Sequence, residues 1–487
     1  MTLKTIGLLL AASFCVAGAP LTGLAQETDR QASAAQSERP PLEEMPQRFQ
    51  IAFWLNQAAL AFDDQDYEDW AQATERLHAL RPYNQDFMTH LVRAYAHQER
   101  FSEAYNMMLM MQQQGLAADW SQFEELEPMH EHRLYQHLSQ LMNDAFQPFG
   151  EAREVDTLDQ IEMPEALAHD PASGRLFIGG IRDGQILVSD GDGGDWQVFA
   201  GPDSNDELMA VLDLEVDSER GHLWVATAAL TQFRGFREAD QGRTALLKLD
   251  LETGEQLSSH RLIPDRMPHV FGSLAVAADG TVFAADTATP GIYRLSPGER
   301  HPQPFFGHPN FSSMRGIALS GDGSKLYLAD YEVGIFVVDT ADASRAWKLA
   351  TPENLNEGGI DGLYWWDGFL VAIQNGINPE RILRLKLGDD GLGVIEVAPL
   401  AASLPEFDTP TYGVMVGNEL VFLANSHWHH VDARGRRTGR SMPPVHLMAT
   451  QIDSARVLGV GQEMLEELLR RRGESQGQAQ PEDDGEG

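Results

Sequence analysis

The chain has 487 residues, 43% apolar and 22% charged, close to ordinary globular proportions, so wholesale disorder, a collagen-like repeat and a multi-span membrane protein are excluded. Its 73 acidic residues against 36 basic ones give a formal net charge of -37, a field that repels phosphate backbones and anionic lipid heads and points away from nucleic acid.

Lys4 precedes an apolar run from Ile6 to Ala19, and Gly23-Leu24-Ala25 places small residues where a signal peptidase reads. Residues 1–25 therefore read as a cleaved export signal, and the protein is expected in the periplasm or outside the cell. The apolar run is shorter than the ~20 residues that cross a bilayer, so no membrane insertion is expected after cleavage. Cys15 is the only cysteine and lies inside this signal, which leaves the mature chain without disulfides or Cys-bound metal. Residues 26–46 lack apolar periodicity and read as a flexible linker.

Over residues 47–149 the apolar residues recur at helical spacing. Trp54, Ala61, Tyr67 and Trp70 are followed 34 residues later by Met88, Tyr95, Phe101 and Ala104. That offset is the length of a tetratricopeptide repeat, with Pro82 closing the first unit, so two such helix pairs are expected. A two-pair stack leaves an apolar end open, and the segment from Trp120 to Ala145 is the expected cap. Repeats of this kind hold peptides, which makes a protein partner on the helical segment a candidate; with only two units, a helical module packed on its neighbour is the alternative.

Beyond Gly150 the pattern changes to short alternating strands punctuated by Gly, Asp and Pro. One unit recurs six times: PEALAHDPASGRLFIGG, VLDLEVDSERGHLWVAT, GSLAVAADGTVFAAD, RGIALSGDGSKLYLAD, DGLYWWDGFLVAIQN and YGVMVGNELVFLAN. The copies start near Glu165, Leu212, Gly272, Arg315, Asp361 and Tyr412, at spacings of 47, 60, 43, 46 and 51 residues. Four strands with turns occupy ~40 to 50 residues, so the reading for residues 150–453 is a six-bladed β-propeller. The strand in GEAREVDTL is the candidate to complete the last blade. Residues 454–472 read as an amphipathic helix and 473–487 as a disordered acidic tail.

In a propeller the innermost strand of each blade starts, and the second strand ends, at one face of the central channel. The first-strand ring then reads Glu165, Leu212, Gly272, Arg315, Asp361 and Thr411 or Tyr412. The second-strand ends add Arg182, Thr227, Asp286, Asp330, Gln374, Asn375, Asn425 and His427. So many polar groups at one mouth predict a small-molecule ligand, with Asp286, Asp330, Asn375 and Asn425 among its contacts. For Asp286 and Asp330 a second reading stays open, in which they cap neighbouring loops. In the insertion LTQFRGFREADQGR, Phe233 and Phe236 are expected as an apolar lid, with Arg234, Arg237 and Arg243 drawing an anion; a solvated loop with its aromatics folded back is the alternative. The loop GINPERI is expected on the opposite rim. His427 and His429 in NSHWHHVD share a strand side but are too few to hold a metal, and the basic run RGRRTGR reads as a turn that neutralises nearby acids. The GxSxG match GESQG, at 473–477, falls in the tail read as disordered rather than at a strand-to-helix turn, and no HExxH helix, phosphate loop or dinucleotide fingerprint occurs.

The strands SGDGSKLYLAD and AADGTVFAAD, with PEALAHDP opening the first copy and IDGLYWW the fifth, resemble the gluconolactonase and regucalcin (senescence marker protein) family of six-bladed propellers. The likeness spans roughly residues 150 to 450. HLWVATAALTQFRGFREADQGRTALLKLD, YLADYEVGIFVVD and GIDGLYWWDGFLVAIQNGINPERILRLKL are similar to bacterial exported proteins that place tetratricopeptide repeats before such a propeller. The resemblance implies hydrolysis of lactones or related esters and one divalent cation, calcium or zinc, held by a Glu, two Asn and an Asp. Glu165 and Asp361 match the Glu and the Asp, whereas Gly272 and Arg315 stand at the Asn positions. Arg315 between two carboxylates is expected to supply the positive charge instead. Asp361 is then the candidate general base, with Arg315 and Glu165 beside it. A non-catalytic binding propeller and an interaction scaffold remain as alternatives.

Overall fold

The computed structural model describes residues 41–191, 194–439 and 441–453. The export signal, most of the linker, the C-terminal helix and tail, and Arg440 of the basic run lie outside the described residues. The linker's last residues carry a 3-10 turn, Leu42–Glu44, fastened by Gln50 Nε2 donating to Met45 O at 2.8 Å.

Five α-helices come first: α1 (Gln47–Asp63), α2 (Tyr67–Leu80), α3 (Gln85–His97), α4 (Phe101–Gln113) and α5 (Arg133–Asp144). Starts of α2 and α4, and ends of α1 and α3, are 34 residues apart, compatible with two repeated helix pairs. Asp66 and Asn84 cap α2 and α3 by accepting from Asp69 N and Phe87 N. Trp70, Met88, Leu91, Met108 and Met111, all buried, form the helical core. The stretch after Trp120 is two 3-10 turns, Trp120–Gln122 and Glu124–Met129, followed by α5, and Leu126, Met129 and Met142 close the apolar end of the stack. No described helix is long and apolar enough to cross a membrane.

The rest is a six-bladed β-propeller, each blade an antiparallel sheet, with the strands of blades 1 to 4 in sequence order from the channel outward. The innermost strands are Pro164–His169, Ala210–Asp217, Phe271–Val276, Met314–Leu319, Ile360–Trp366 and Gly413–Val416 for blades 1 to 6. They touch in cyclic order, with blade 6 against blade 1. The outermost strand of blade 6 is Arg153–Leu158, from the chain before blade 1, paired antiparallel with Val445–Gln451. This closure removes the edges that an open sheet would expose. A short strand, Phe149–Gly150, adds to the outside of blade 5 and joins helices to propeller.

Inner strands crowd at the axis, and glycine lets them approach. A Cβ on Gly316 would lie 2.9 Å from Asp361 O and closer still to Leu363 N, both backbone atoms of the next blade. Gly316→Ala is therefore expected to destabilise the protein by about 1–3 kcal/mol. The readout is a lower urea midpoint; an unchanged midpoint contradicts this packing.

Candidate functional site

Each of the first five inner strands carries a register shift at its mouth end, which skips Glu165, Leu212, Gly272, Arg315 with Gly316, and Asp361. Bulges free a residue from ladder pairing and re-aim it. Here they release Glu165, Arg315 and Asp361 toward the axis.

Arg315 and Asp361 meet, and Glu165 lies within electrostatic reach of both. Arg315 Nε stands 3.7 Å from Asp361 Oδ1, and both atoms are buried without a hydrogen-bond partner. One donor and one acceptor thus remain free for a third group. Asp361 Oδ2 accepts from Asn375 Nδ2 at 2.8 Å, and Asn375 Oδ1 accepts from Tyr331 Oη at 2.9 Å. The Tyr331 ring lies 5.3 Å from the Arg315 guanidinium, so this phenol positions both members of the ion pair. Glu165 Oε2 accepts from Trp428 Nε1 at 2.9 Å. Glu165 and Asp361 are 3% and 5% exposed, while the Arg315 side chain keeps 23% open to solvent-sized space.

Burial, and then the Asp361 charge, push the Glu165 carboxyl up to about 8, against the opposing pull of the Trp428 hydrogen bond and Arg315. Burial also opposes charge on Arg315, but Asp361, Tyr412, Tyr331 and Glu165 outweigh it and raise its pKa. Deeper in the channel wall, Asp213 accepts from Leu274 N at 2.6 Å and Leu214 N at 2.8 Å, and burial lifts it to about 7. Tyr412 Oη donates to Gly272 O at 2.9 Å, crossing from blade 6 to the opposite blade.

Other expected positions turn away from the ligand. Asp286 and Asp330 were candidate contacts, yet both act as caps. Asp286 accepts from Val270 N, Ala288 N and Thr289 N and from His269, and Asp330 accepts from Ser312 N, Ser313 N, Glu332 N and Val333 N. Asn425 is likewise spent on its own blade, donating to Pro444 O and accepting from His446 N. Phe233 is no lid: it is buried in the core between blades 2 and 3, and Phe236 packs against the same cluster, because the insertion folds back. Its arginines are neutralised internally, Arg234 by Asp183 and Glu162, Arg237 and Arg243 by Asp240. Leu212 sits in that same core, and its neighbour Asp213 holds the channel-side carboxyl.

His427 and His429 do not share a strand side. His427 adopts left-handed φ of 65°, and a 3-10 turn, Trp428–His430, follows. That turn delivers the Trp428 indole to Glu165, a contact missed when NSHWHHVD is read as a strand. Tyr331 was also missed; it directly follows Asp330 at the end of a second strand, the position class that predicted the mouth.

The helical segment stands on the mouth face, over the loops of blades 4 and 5. Arg81 pairs with Glu332 at 2.5 Å, and Tyr83 Oη donates to Glu357 at 2.7 Å. Arg381 donates to Gln114 O and Asn356 to Gln114 Oε1. The loop GINPERI is therefore a docking element: Ile377 enters the helical core and Asn378 bonds Gln85 and Ala117.

The cation implied by the resemblance does not fit these residues. Gly272 offers no side chain, and its carbonyl oxygen is engaged by Tyr412. A guanidinium occupies the place of the other Asn, and among the described residues no group of three or more His, Cys, Asp or Glu is arranged to hold a metal ion.

Solved structures similar in architecture include three propellers. Regucalcin from Agrobacterium tumefaciens, described as a calcium-binding protein, is 17% identical, with a TM-score of 0.44 over 62% of this chain and 95% of that one. A gluconolactonase from Xanthomonas campestris is 15% identical, with a TM-score of 0.41 over 62% and 91%. The PQQ-bound aldose sugar dehydrogenase of Streptomyces coelicolor is 14% identical, with a TM-score of 0.42 over 62% and 99%. At such identities the likeness is one of fold. No family model and no curated protein matches the sequence.

Proposed function

We propose that the chain hydrolyses a lactone or related ester at the mouth of the propeller channel. One observation carries this reading: around one guanidinium stand an ion-paired carboxylate, Asp361, and a second carboxyl, Glu165, which is lifted to about 8 and so stays protonated at neutral pH. A protonated carboxyl near an ion-paired carboxylate suits opposite proton transfers. Asp361 takes a proton from water as the oxygen adds to the acyl carbon, and Arg315 N–H groups stabilise the oxyanion. The Glu165 O–H then gives its proton to the departing alkoxide as the acyl–oxygen bond breaks. The charge that a cation supplies elsewhere comes here from Arg315. The same reading places the protein in the periplasm or outside the cell, from the signal-like residues 1–25.

The test is a panel of lactones and aryl esters assayed across about pH 5 to 9, with and without chelator. Turnover is expected without added metal and falls as pH rises through about 8, where Glu165 loses its proton. Glu165→Gln removes that limb together with most of the rate. Stability has a matching sign, because the folded state holds this proton more tightly than the unfolded chain, whose pKa is ~4.3. The Glu165 contribution is complete below that value and is lost as pH rises to about 8, so the Gln variant gains on the native protein over this range. Absence of turnover across the panel, or a rate flat through pH 8, overturns the reading. A non-catalytic binding role is favoured by one feature, the Tyr412 phenol lying across the channel. A ligand-dependent rise in Tm without turnover is its signature.

A further inference from the structure

Three sequence features that the hydrolytic reading leaves unused meet at the mouth end of blade 1: the insertion of blade 2, the segment NSHWHHVD and the basic run after it. The connection from His427 to Arg437 leaves blade 6, passes blade 1 and fastens to the insertion. Val431 is buried in the same core cluster as Phe233, and Trp428 and Phe236 pack against that cluster. Thr231 Oγ1 donates to Ala433 O at 2.7 Å, Arg182 Nη1 donates to Gly435 O at 2.6 Å, and Arg437 pairs with Glu162.

At the start of this connection two residues with left-handed backbone are bonded to each other. Met163, with φ of 52°, donates from its backbone N to Nδ1 of His427, which has φ of 65°, at 3.3 Å. Non-glycine residues hold such backbone only where their surroundings fix it, and they gather at functional sites. Glu165 stands two residues beyond the first, and Trp428 directly follows the second. What the clasp aligns is one hydrogen bond, from Trp428 Nε1 to Glu165 Oε2 at 2.9 Å. An indole is a donor only, and in a protonated carboxyl the carbonyl oxygen is the better acceptor. The contact therefore makes Oε2 the carbonyl oxygen and leaves the proton on Oε1, which takes no hydrogen bond among the described residues. A proton fixed on one oxygen of a held carboxyl meets a leaving alkoxide more often than one shared between two freely turning oxygens.

We propose that Trp428 is a positioning residue for the acid step: anchored through the connection and the insertion, its indole N–H engages Glu165 Oε2 and keeps the transferable proton on Oε1. This rests on the hydrolytic reading, in which Glu165 protonates the departing oxygen.

Leaving groups test it. Protonation assists a poor leaving group such as an alkoxide and hardly matters for a nitrophenolate, which departs as the anion. Trp428→Phe keeps a ring against the core cluster and deletes the donor, and the half-buried position is expected to tolerate it. In the whole protein this variant is expected to lower kcat about tenfold or more for lactones and alkyl esters, with KM within about twofold. Turnover of p-nitrophenyl esters is expected to stay within about twofold of native. A packing defect alone slows every ester alike. The contact is also read without turnover, because the NMR resonance of the Trp428 indole N–H is expected to move in Glu165→Gln. A uniform loss across leaving groups, an unchanged kcat for lactones, or an indole resonance that ignores Glu165→Gln overturns the proposal and leaves the hydrolytic reading standing. Lack of any turnover by the native protein removes the hydrolytic reading and this role of Trp428 together.

Discussion

Asp361→Asn is expected to lower lactone or ester turnover by about 10²- to 10⁴-fold while leaving the propeller folded. The amide keeps an oxygen for the Asn375 hydrogen bond but can neither take a proton from water nor balance the Arg315 charge. Because the base acts only as the proton moves, the loss should fall on kcat more than on KM. Circular dichroism and the urea midpoint guard against the trivial explanation of unfolding. Turnover within about twofold of the native rate would remove Asp361 from the chemistry. Tyr331→Phe separates positioning from proton transfer. It deletes the donor to Asn375 Oδ1 without touching Asp361, so a smaller loss with an unchanged pH profile is expected.

The second large effect is on stability. Glu357 is 0% exposed and collects Tyr83 Oη and Thr351 Oγ1, each at 2.7 Å, Ile335 N at 2.9 Å, and the Lys348 ammonium. Glu357→Ala strands a cation, two hydroxyls and a backbone N–H at the junction of helices and propeller. A loss of about 3–5 kcal/mol is expected, read as a lower urea midpoint, and a change below about 1 kcal/mol would show that water replaces the carboxylate readily. Excising the helices is a poorer experiment. It also removes the partners of Arg381 and Ile377, so lost activity would report damage to blades 4 and 5.

How far the sequence reached follows from which forces act locally. Blade count was legible because turn residues recur at one length, and the closing strand because an unpaired alternating segment preceded the first blade. Glu165, Arg315 and Asp361 were legible because they occupy one repeat position. Neighbouring assignments failed where alternation is broken: the bulge after Val211 moves Leu212 into the core and Asp213 to the channel. A carboxylate at a strand end bonds loop N–H groups as readily as it faces a ligand, and for Asp286 and Asp330 the loop wins. The αL turn at His427 and the docking of Ile377 into the helices depend on tertiary contacts that periodicity does not encode.

The strand that completes blade 6 is synthesised before the inner strand of every blade. Thr450 donates to Glu151 O across 299 residues of chain, a contact of very long range whose loop-closure entropy must be met before it contributes. Arg153–Leu158 therefore waits, unpaired, through the emergence of every blade. A nascent or truncated polypeptide ending between Leu423 and Val445 carries two raw borders, the outer rim of blade 6 and this waiting strand, and each can capture another copy. Premature termination in that stretch is therefore expected to yield an aggregation-prone product rather than a smaller working ring.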